Sequence, residues 1–408
     1  MLSRPLAKKP NSVADRSGAA PSEKSSLRTE AYSIERVTSV EEFQKLKEDW
    51  DGVLNEHTLH EPYLEHEWFE LWLKHYGAGG ELSFFLVKQG QHIAAIFPFV
   101  LKRQRYGGLR IRLLEFLGNI GYAMRTPIFS TDDPSEREAI LDSLFQFLVS
   151  SAKWDALRLN FLPEEDFDFK TLQSILSTWG LTFREQSWFG DWYLDGIDCT
   201  GAQYVASRVS HVGKNIKRFA KRFGPDGQMK IEIVTGGDDE TIDGWMDHFH
   251  AVYRKSWKEW EVHPTFDRAL AKMASRRGCL RLGFLFVGPD PVAAQFWFVY
   301  RRKAYFFKSV YNEQFKKFSP GVTLTAAMST HVIDHDKAEE IDYLYGDNPY
   351  KKDWVPKRRE RKNIFIFNNH SLRGALLSVS SLKLGPIMGR NRVLRPLRKG
   401  LLKLLKTD

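Results

Sequence analysis

Two short segments hold the residues best suited to chemistry. Tyr345-Gly346-Asp347-Asn348-Pro349-Tyr350-Lys351-Lys352 places a carboxylate, two phenols and two ammonium groups in one stretch containing Gly and Pro. Groups that close tune one another's proton affinity and can serve proton transfer. A salt-bridged surface turn fits the same residues, and spacing alone does not choose. Upstream, Phe318-Ser319-Pro320-Gly321 opens an apolar stretch of helical period. Ser suits an N-cap, Pro a first helical position, and Gly lets a ligand approach the backbone. Amides at a helix start face a partial positive end, a natural seat for phosphate or pyrophosphate. The bland reading of those three residues is a well-capped helix.

Other candidates are weaker. Gln295 interrupts the apolar run Val292 to Val299, and a buried amide needs partners there, whether a bound ligand or a local structural bond. No Ser/His/Asp or Cys/His pairing is evident, which favours direct transfer over a covalent intermediate. His248, His250 and His331 fall on presumed helices without carboxylates at ligand spacing, so packing is expected and no metal site. Trp68, Trp72 and Trp257 read as core. Trp188 and Trp192, in a loop-like aromatic stretch, are the tryptophans that could serve as an open platform.

The elements that must position these residues are written twice. Ile93-Ala94-Ala95-Ile96-Phe97-Pro98-Phe99-Val100-Leu101-Lys102-Arg103 reappears half a chain later as Val292-Ala293-Ala294-Gln295-Phe296-Trp297-Phe298-Val299-Tyr300-Arg301-Arg302. Each copy follows another apolar run across a polar turn, the pattern of a β-hairpin. Lys153 to Leu159 likewise parallels Glu339 to Tyr345, each after an amphipathic helix. Duplication follows, with two mixed α/β modules, 33–198 and 199–370. Helices are expected at Val40–Asn55, Glu65–Tyr76, Ser135–Ser150, Phe169–Trp179, Asp239–Trp257, Thr265–Arg277 and Gly321–Asp334. A single basic helix is expected from Gly201 to Phe223, carrying Arg208, His211, Lys214, Lys217, Arg218, Lys221 and Arg222.

Composition bounds the reading. The chain has 408 residues, of which 42% are hydrophobic, enough for two sizeable cores. Its two cysteines, Cys199 and Cys279, form no CxxC, which fits a reducing compartment and a cytoplasmic location. Residues 1–32 are rich in Ser, Ala, Pro and Lys and are expected to be disordered. Most of the net charge of +9 falls in 371–408, which carry nine Lys/Arg against one acid. Within it Leu394, Leu397, Leu401, Leu404 and Leu405 share a helical face, the pattern of a helix lying on an anionic membrane surface. Docking onto another protein is equally open.

Together, the Ser319-Pro320-Gly321 helix start, the Gly346-Asp347…Tyr350-Lys351 loop with Trp354, and the basic helix around Lys214–Arg222 resemble one family. It is the cellulose-biosynthesis (CelD-type) acetyltransferase branch of the GNAT superfamily, similar to Fem-type aminoacyltransferases in carrying two GNAT-like modules. The resemblance covers about residues 35–370. It implies an acyl donor, usually acetyl-coenzyme A, against the splayed central strands of one module, with its pyrophosphate at Ser319, Pro320 and Gly321. Gln295 and Ser309 would then face the donor. Asp347 is expected as base or amine anchor, Tyr350 as proton donor to the departing thiolate, and Lys351 as an anion contact. One departure stands out: the superfamily's Gly-rich phosphate loop is absent, since Lys317-Phe318-Ser319-Pro320-Gly321 offers one glycine. In the first module the corresponding helix begins at Asp132-Asp133-Pro134-Ser135-Glu136, whose acids would repel a phosphate, so donor binding there is expected to be lost. The implied acceptor is a small-molecule sugar precursor or glycan. The rivals are aminoacyl transfer from charged tRNA, although nucleic acid is disfavoured by the acids elsewhere, and a silent membrane-associated partner of a polysaccharide-synthesis complex.

Overall fold

A computed structural model describes residues 32–381, apart from 57–60, 107, 119–125, 152, 165–167, 225–227 and 260–263. The N-terminal segment and the leucine-rich basic tail therefore lie outside the described residues. The described chain forms one compact unit.

The first half runs β1 (Ser33–Val37), α1 (Val40–Lys45), α2 (Lys47–Glu56), α3 (His66–Tyr76), β2 (Glu81–Gln89), β3 (His92–Tyr106), β4 (Leu109–Phe116), β5 (Ile128–Phe129), α4 (Pro134–Ser150), β6 (Ala156–Pro163), α5 (Phe169–Thr178) and β7 (Thr182–Leu194). The second runs α6 (Gly201–Ala206), α7 (Ser210–Phe223), β8 (Met229–Val234), α8 (Asp239–Arg254), α9 (Pro264–Arg276), β9 (Leu280–Val287), β10 (Asp290–Tyr300), β11 (Lys303–Tyr311), α10 (Pro320–Asp334), β12 (Glu340–Tyr345), β13 (Lys357–Phe367) and α11 (Leu372–Val379). Two expected helices are each broken in two. The first breaks at Leu46 between α1 and α2. The basic one breaks at Ser207–Val209, where the Ser207 hydroxyl donates to the Tyr204 carbonyl and Val209 turns extended.

The strands build one sheet in the order β1-β2-β3-β4-β6-β13-β7-β12-β11-β10-β9-β8, with β5 paired on β3. Its two ends mirror one another. In each, three antiparallel pairings lead to a parallel one, β4 with β6 and β11 with β12. The repeated sequence is the third strand of each end, β3 and β10, so the duplication is structural. The middle corrects the expected division at residue 198. β7, from the first half, pairs with β12 of the second, and β13, from the second, pairs with β6 of the first. The two also pair with each other from Lys357↔Tyr193 to Phe367↔Thr182. Each half has lent its last strand to the other.

Packing follows the same logic. Ile364 and Ile366 of β13 are buried with α4 and α5, whereas Trp192 of β7 is buried with α10. On the opposite face one core joins α2 and α3 to α8 and α9. There Trp72 and Tyr76 meet Phe266 edge-on, with ring centres 5.7 and 5.2 Å apart. Burying a large apolar side chain contributes roughly 1.5–3 kcal/mol, so this shared layer fastens the halves together. At the seam, half-buried Lys303 reaches Glu61 at 3.0 Å and Asp342 at 3.2 Å, and Arg359 shares Asp342.

Candidate functional site

The site starts where β11 and β12 part. Their parallel ladder covers Lys303↔Glu340, Ala304↔Ile341 and Tyr305↔Asp342 and then stops, although β11 continues to Tyr311. Beyond it the two strands run on without pairing, which leaves a gap in the ladder. Leu344 on its β12 wall has φ +56°, a left-handed conformation unfavourable for a bulky residue. A buried cation holds that kink. Lys351 Nζ donates to the carbonyls of Tyr343 (2.7 Å), Leu344 (3.0 Å) and Tyr345 (2.6 Å). Desolvation pulls its pKa down to about 8, against the pull of Asp342, Asp191 and Asp347. Lys351 was expected to meet a bound anion; its three ammonium protons are instead committed to backbone. Gly346 makes the exit that its residue type suggested, at φ +103° with its N–H on the Gly190 carbonyl.

α10 begins at the mouth of this gap. Pro320 stands at the first position as expected, but Ser319 does not cap. It sits at φ +56° as the end of a 3₁₀ turn over Glu313–Phe318, and makes no side-chain cap bond. Its hydroxyl instead accepts from Arg218 at 3.2 Å. Arg218 comes from α7, whose Val212, Phe219 and Phe223 are buried while His211, Lys214, Lys217, Lys221 and Arg222 point outward. So the helix start keeps its positive end uncompensated and gains a guanidinium. The equivalent start of α4 is the reverse. Asp133 Oδ1 accepts from the amides of Ser135 (2.9 Å) and Glu136 (3.0 Å). A carboxylate of the protein's own occupies the place a phosphate would take.

Gln295 is fully buried beside this start, and its polar atoms are spoken for. Its amide donates to Thr325 Oγ1 at 2.7 Å, Gly321 O at 3.3 Å and Ser309 Oγ at 3.4 Å, while Oε1 accepts from Trp297. Of the two partnerships open to it, the local one holds. Gln295 and Ser309 thus tie β10 and β11 to the first turn of α10.

The loop after β12 departs further from expectation. Asp347 faces Arg358, with Nε to Oδ1 at 2.8 Å and Nη2 to Oδ2 at 3.1 Å, and also accepts from Trp192 Nε1 at 3.0 Å. The hydrogen bonds from Arg358 hold its carboxyl below the usual range, so it is a poor proton acceptor at neutral pH. A carboxylate fixed in ionised form suits the other expected role, holding an amine. Tyr350 has a 42% exposed surface, yet burial around its hydroxyl raises the pKa above the ordinary phenol value, so it keeps its proton. Trp192 is buried, not an open platform, and its role is to orient Asp347. Trp257, expected in the core, is 51% exposed and lies tilted against Tyr311 with ring centres 4.4 Å apart. Trp68 and Trp72 are buried as expected. Arg218 and Arg358 are the residues the sequence left unassigned. Arg358 had a faint signal, being the one guanidinium of Lys357-Arg358-Arg359 that alternation puts beside the loop face. Among the described residues no cluster of three metal-ligating side chains occurs.

The fold is mixed α/β, two like modules on one sheet. Residues 210–352 match the family model of an acetyltransferase (GNAT) domain. That span runs from α7 to the 3₁₀ turn at Pro349–Asp353 and contains both the α10 start and the Asp347 loop. The match to a GNAT acetyltransferase domain is confined to the second half of the chain. No curated protein sequence matches it. Among solved structures it is similar to that of FemX, at 11% identity, with 83% of this chain and 98% of that one covered and a TM-score of 0.54. It is similar too to a conserved protein of unknown function from Bacteroides thetaiotaomicron VPI-5482, at 10% identity, 82% and 100% coverage and a TM-score of 0.52. Identities this low speak for the fold alone.

Proposed function

We propose that the second module transfers an acyl group, acetyl in the simplest case, from coenzyme A to an amine or hydroxyl by direct attack. The observation carrying this is the contrast between helix starts: α10 opens uncapped beneath Arg218 at the mouth of the β11–β12 gap, whereas Asp133 closes α4. Acyl-coenzyme A supplies the activated thioester when bound. The amide end of α10, with Pro320, Gly321 and the Ser319–Arg218 pair, holds its diphosphate. The unpaired edge of β11 beyond Tyr305 offers backbone hydrogen-bonding groups along the gap. Asp347, ionised and aimed by Arg358 and Trp192, anchors the acceptor's amine. Tyr350 Oη, protonated at neutral pH, is the proton donor. Lys351 positions the kinked end of β12. The first module shapes the cleft and binds no donor.

The resemblance to the CelD-type branch makes a sugar precursor or polysaccharide-linked acceptor the first choice. The same reading places the enzyme in the cytoplasm, held at a membrane face by residues 390–408. No helix among the described residues is long and apolar enough to cross a membrane. The exposed basic face of α7 and the likeness to FemX favour one second reading, aminoacyl transfer from charged tRNA. Tight tRNA binding without acetyl-coenzyme A binding would select it.

The test is Asp347→Asn and Tyr350→Phe, with acetyl-coenzyme A affinity measured beside turnover on a panel of amino sugars. Losing a positioned acid or base group typically lowers rates ~10²–10⁴-fold. The expectation is a loss of that order for Tyr350→Phe, a raised acceptor KM for Asp347→Asn, and unchanged donor affinity in both. Full transfer rates in both variants contradict the assignment.

A further inference from the structure

A second basic site lies in the first module, far along the sheet from the α4 start. A groove of about 440 Å³ opens between β1, the β3–β4 ribbon and the end of α4. Its floor is apolar, formed by Phe85, Leu101, Leu114 and Trp154; its walls carry Arg36, Arg103, Arg112 and Lys153, with one acid, Glu81, beside Arg36. Two of these cations are neutralised, Arg36 by Glu81 at 2.7 Å and Arg112 by a two-pronged pairing to Asp155 at 2.8 and 3.1 Å. Arg103 and Lys153 pair with no carboxylate among the described residues. Arg36 Nε is buried without a hydrogen-bond partner there.

The register sharpens the point. Arg103 stands directly across from Arg112, and the next pair on the same face is Arg105 across from Arg110. Like charges opposed across antiparallel strands destabilise a sheet, so two successive arginine pairs work against the fold. The other module avoids the arrangement: β10 ends at Tyr300, eleven residues long, where β3 runs for fifteen. The extra length of the first hairpin is the part that carries Arg103, Arg105, Arg110 and Arg112. Charge collected against its own repulsion, around a cavity with an apolar floor, is the arrangement of an anion-binding site.

We propose that this groove binds a phosphate- or diphosphate-bearing small molecule. Its anionic group would lie between Arg103 and Lys153, with its organic part on Trp154 and Leu114. Guanidinium forks match phosphate oxygens in geometry as well as charge. This site is independent of the transfer reaction assigned to the second module.

The probe is inorganic pyrophosphate, titrated calorimetrically into the full chain and into Arg103→Gln/Lys153→Gln. Both side chains are exposed, so the double variant keeps its core. Arg218→Gln separates any pyrophosphate held at α10. The proposal expects a binding component that weakens at least tenfold in the double variant and survives in Arg218→Gln. It also expects Arg103→Gln to melt no lower than the wild type, because the substitution relieves repulsion. Identical isotherms for wild type and double variant, no binding by the wild type, or a melting temperature several degrees lower for Arg103→Gln would overturn it.

Discussion

Three carbonyl oxygens at the end of β12 converge on Lys351 Nζ, and the energetics of that point decide how the loop behaves. Removing the ammonium leaves buried acceptors without donors, at a cost of about 1–3 kcal/mol in denaturant unfolding for Lys351→Met. The pH dependence has a definite sign. Native Lys351 sheds its proton near pH 8, whereas in the unfolded chain it holds on to the ordinary 10.5. Between those values the unfolded state binds more protons, so stability rises with pH. The stability difference between wild type and Lys351→Met should therefore widen from pH 8 to about 10.5; a narrowing gap contradicts the burial argument. The Asp347 pKa is depressed for the opposite reason, hydrogen bonds from Arg358 favouring its charged form, and the group likewise adds stability as pH rises through the carboxylate range. Arg358→Ala should lift that pKa toward the ordinary carboxylate value, readable by NMR titration. The residue types of this loop were legible in the sequence, but their roles were not. Lys351 was separated from an anion by backbone it clamps, and Asp347 by a guanidinium eleven residues further on.

Helix starts are where the elements of this fold diverge most usefully. Asp133 satisfies two amides of α4, so Asp133→Ala should destabilise the protein by about 1 kcal/mol. Ser319 makes no cap bond, so Ser319→Ala should leave denaturant stability unchanged. Equal losses in the two variants would mean that α10 is capped after all. Much at this scale could be read beforehand. The continuous apolar runs of β2, β3, β9 and β10 and the helical spacing of α3, α4, α5, α8 and α10 are local properties. No strand was expected over β4, which lies between Gly107-Gly108 and Gly118. The left-handed Ser319 depends on the preceding 3₁₀ turn, and the break in the basic helix on Ser207 bonding backward. Both are competitions between neighbouring turns that residue type alone does not resolve.

At the scale of the molecule, the exchange of β7 and β13 makes the halves inseparable. A piece ending at residue 198 lacks the strand that covers β6; a piece starting at 199 lacks the strand beside β12. Calorimetry should show one cooperative unfolding transition, and the halves should be insoluble apart and recovered together. Two independent transitions would contradict this. Pairing between strands so distant in sequence leaves no local trace, which is why the duplication was readable and the exchange was not. The exchange also fixes the Asp347 loop, since Trp192 of β7 and Arg358 of β13 both hold Asp347. The central claim is that an acyl donor's diphosphate rests on the open start of α10. Titration calorimetry with acetyl-coenzyme A on the wild type and Ser319→Asp tests it most directly. A carboxylate there imitates Asp133 of α4. The account predicts micromolar binding by the wild type and at least tenfold weaker binding by the variant at unchanged stability. Equal affinities, or no binding by the wild type, would contradict it.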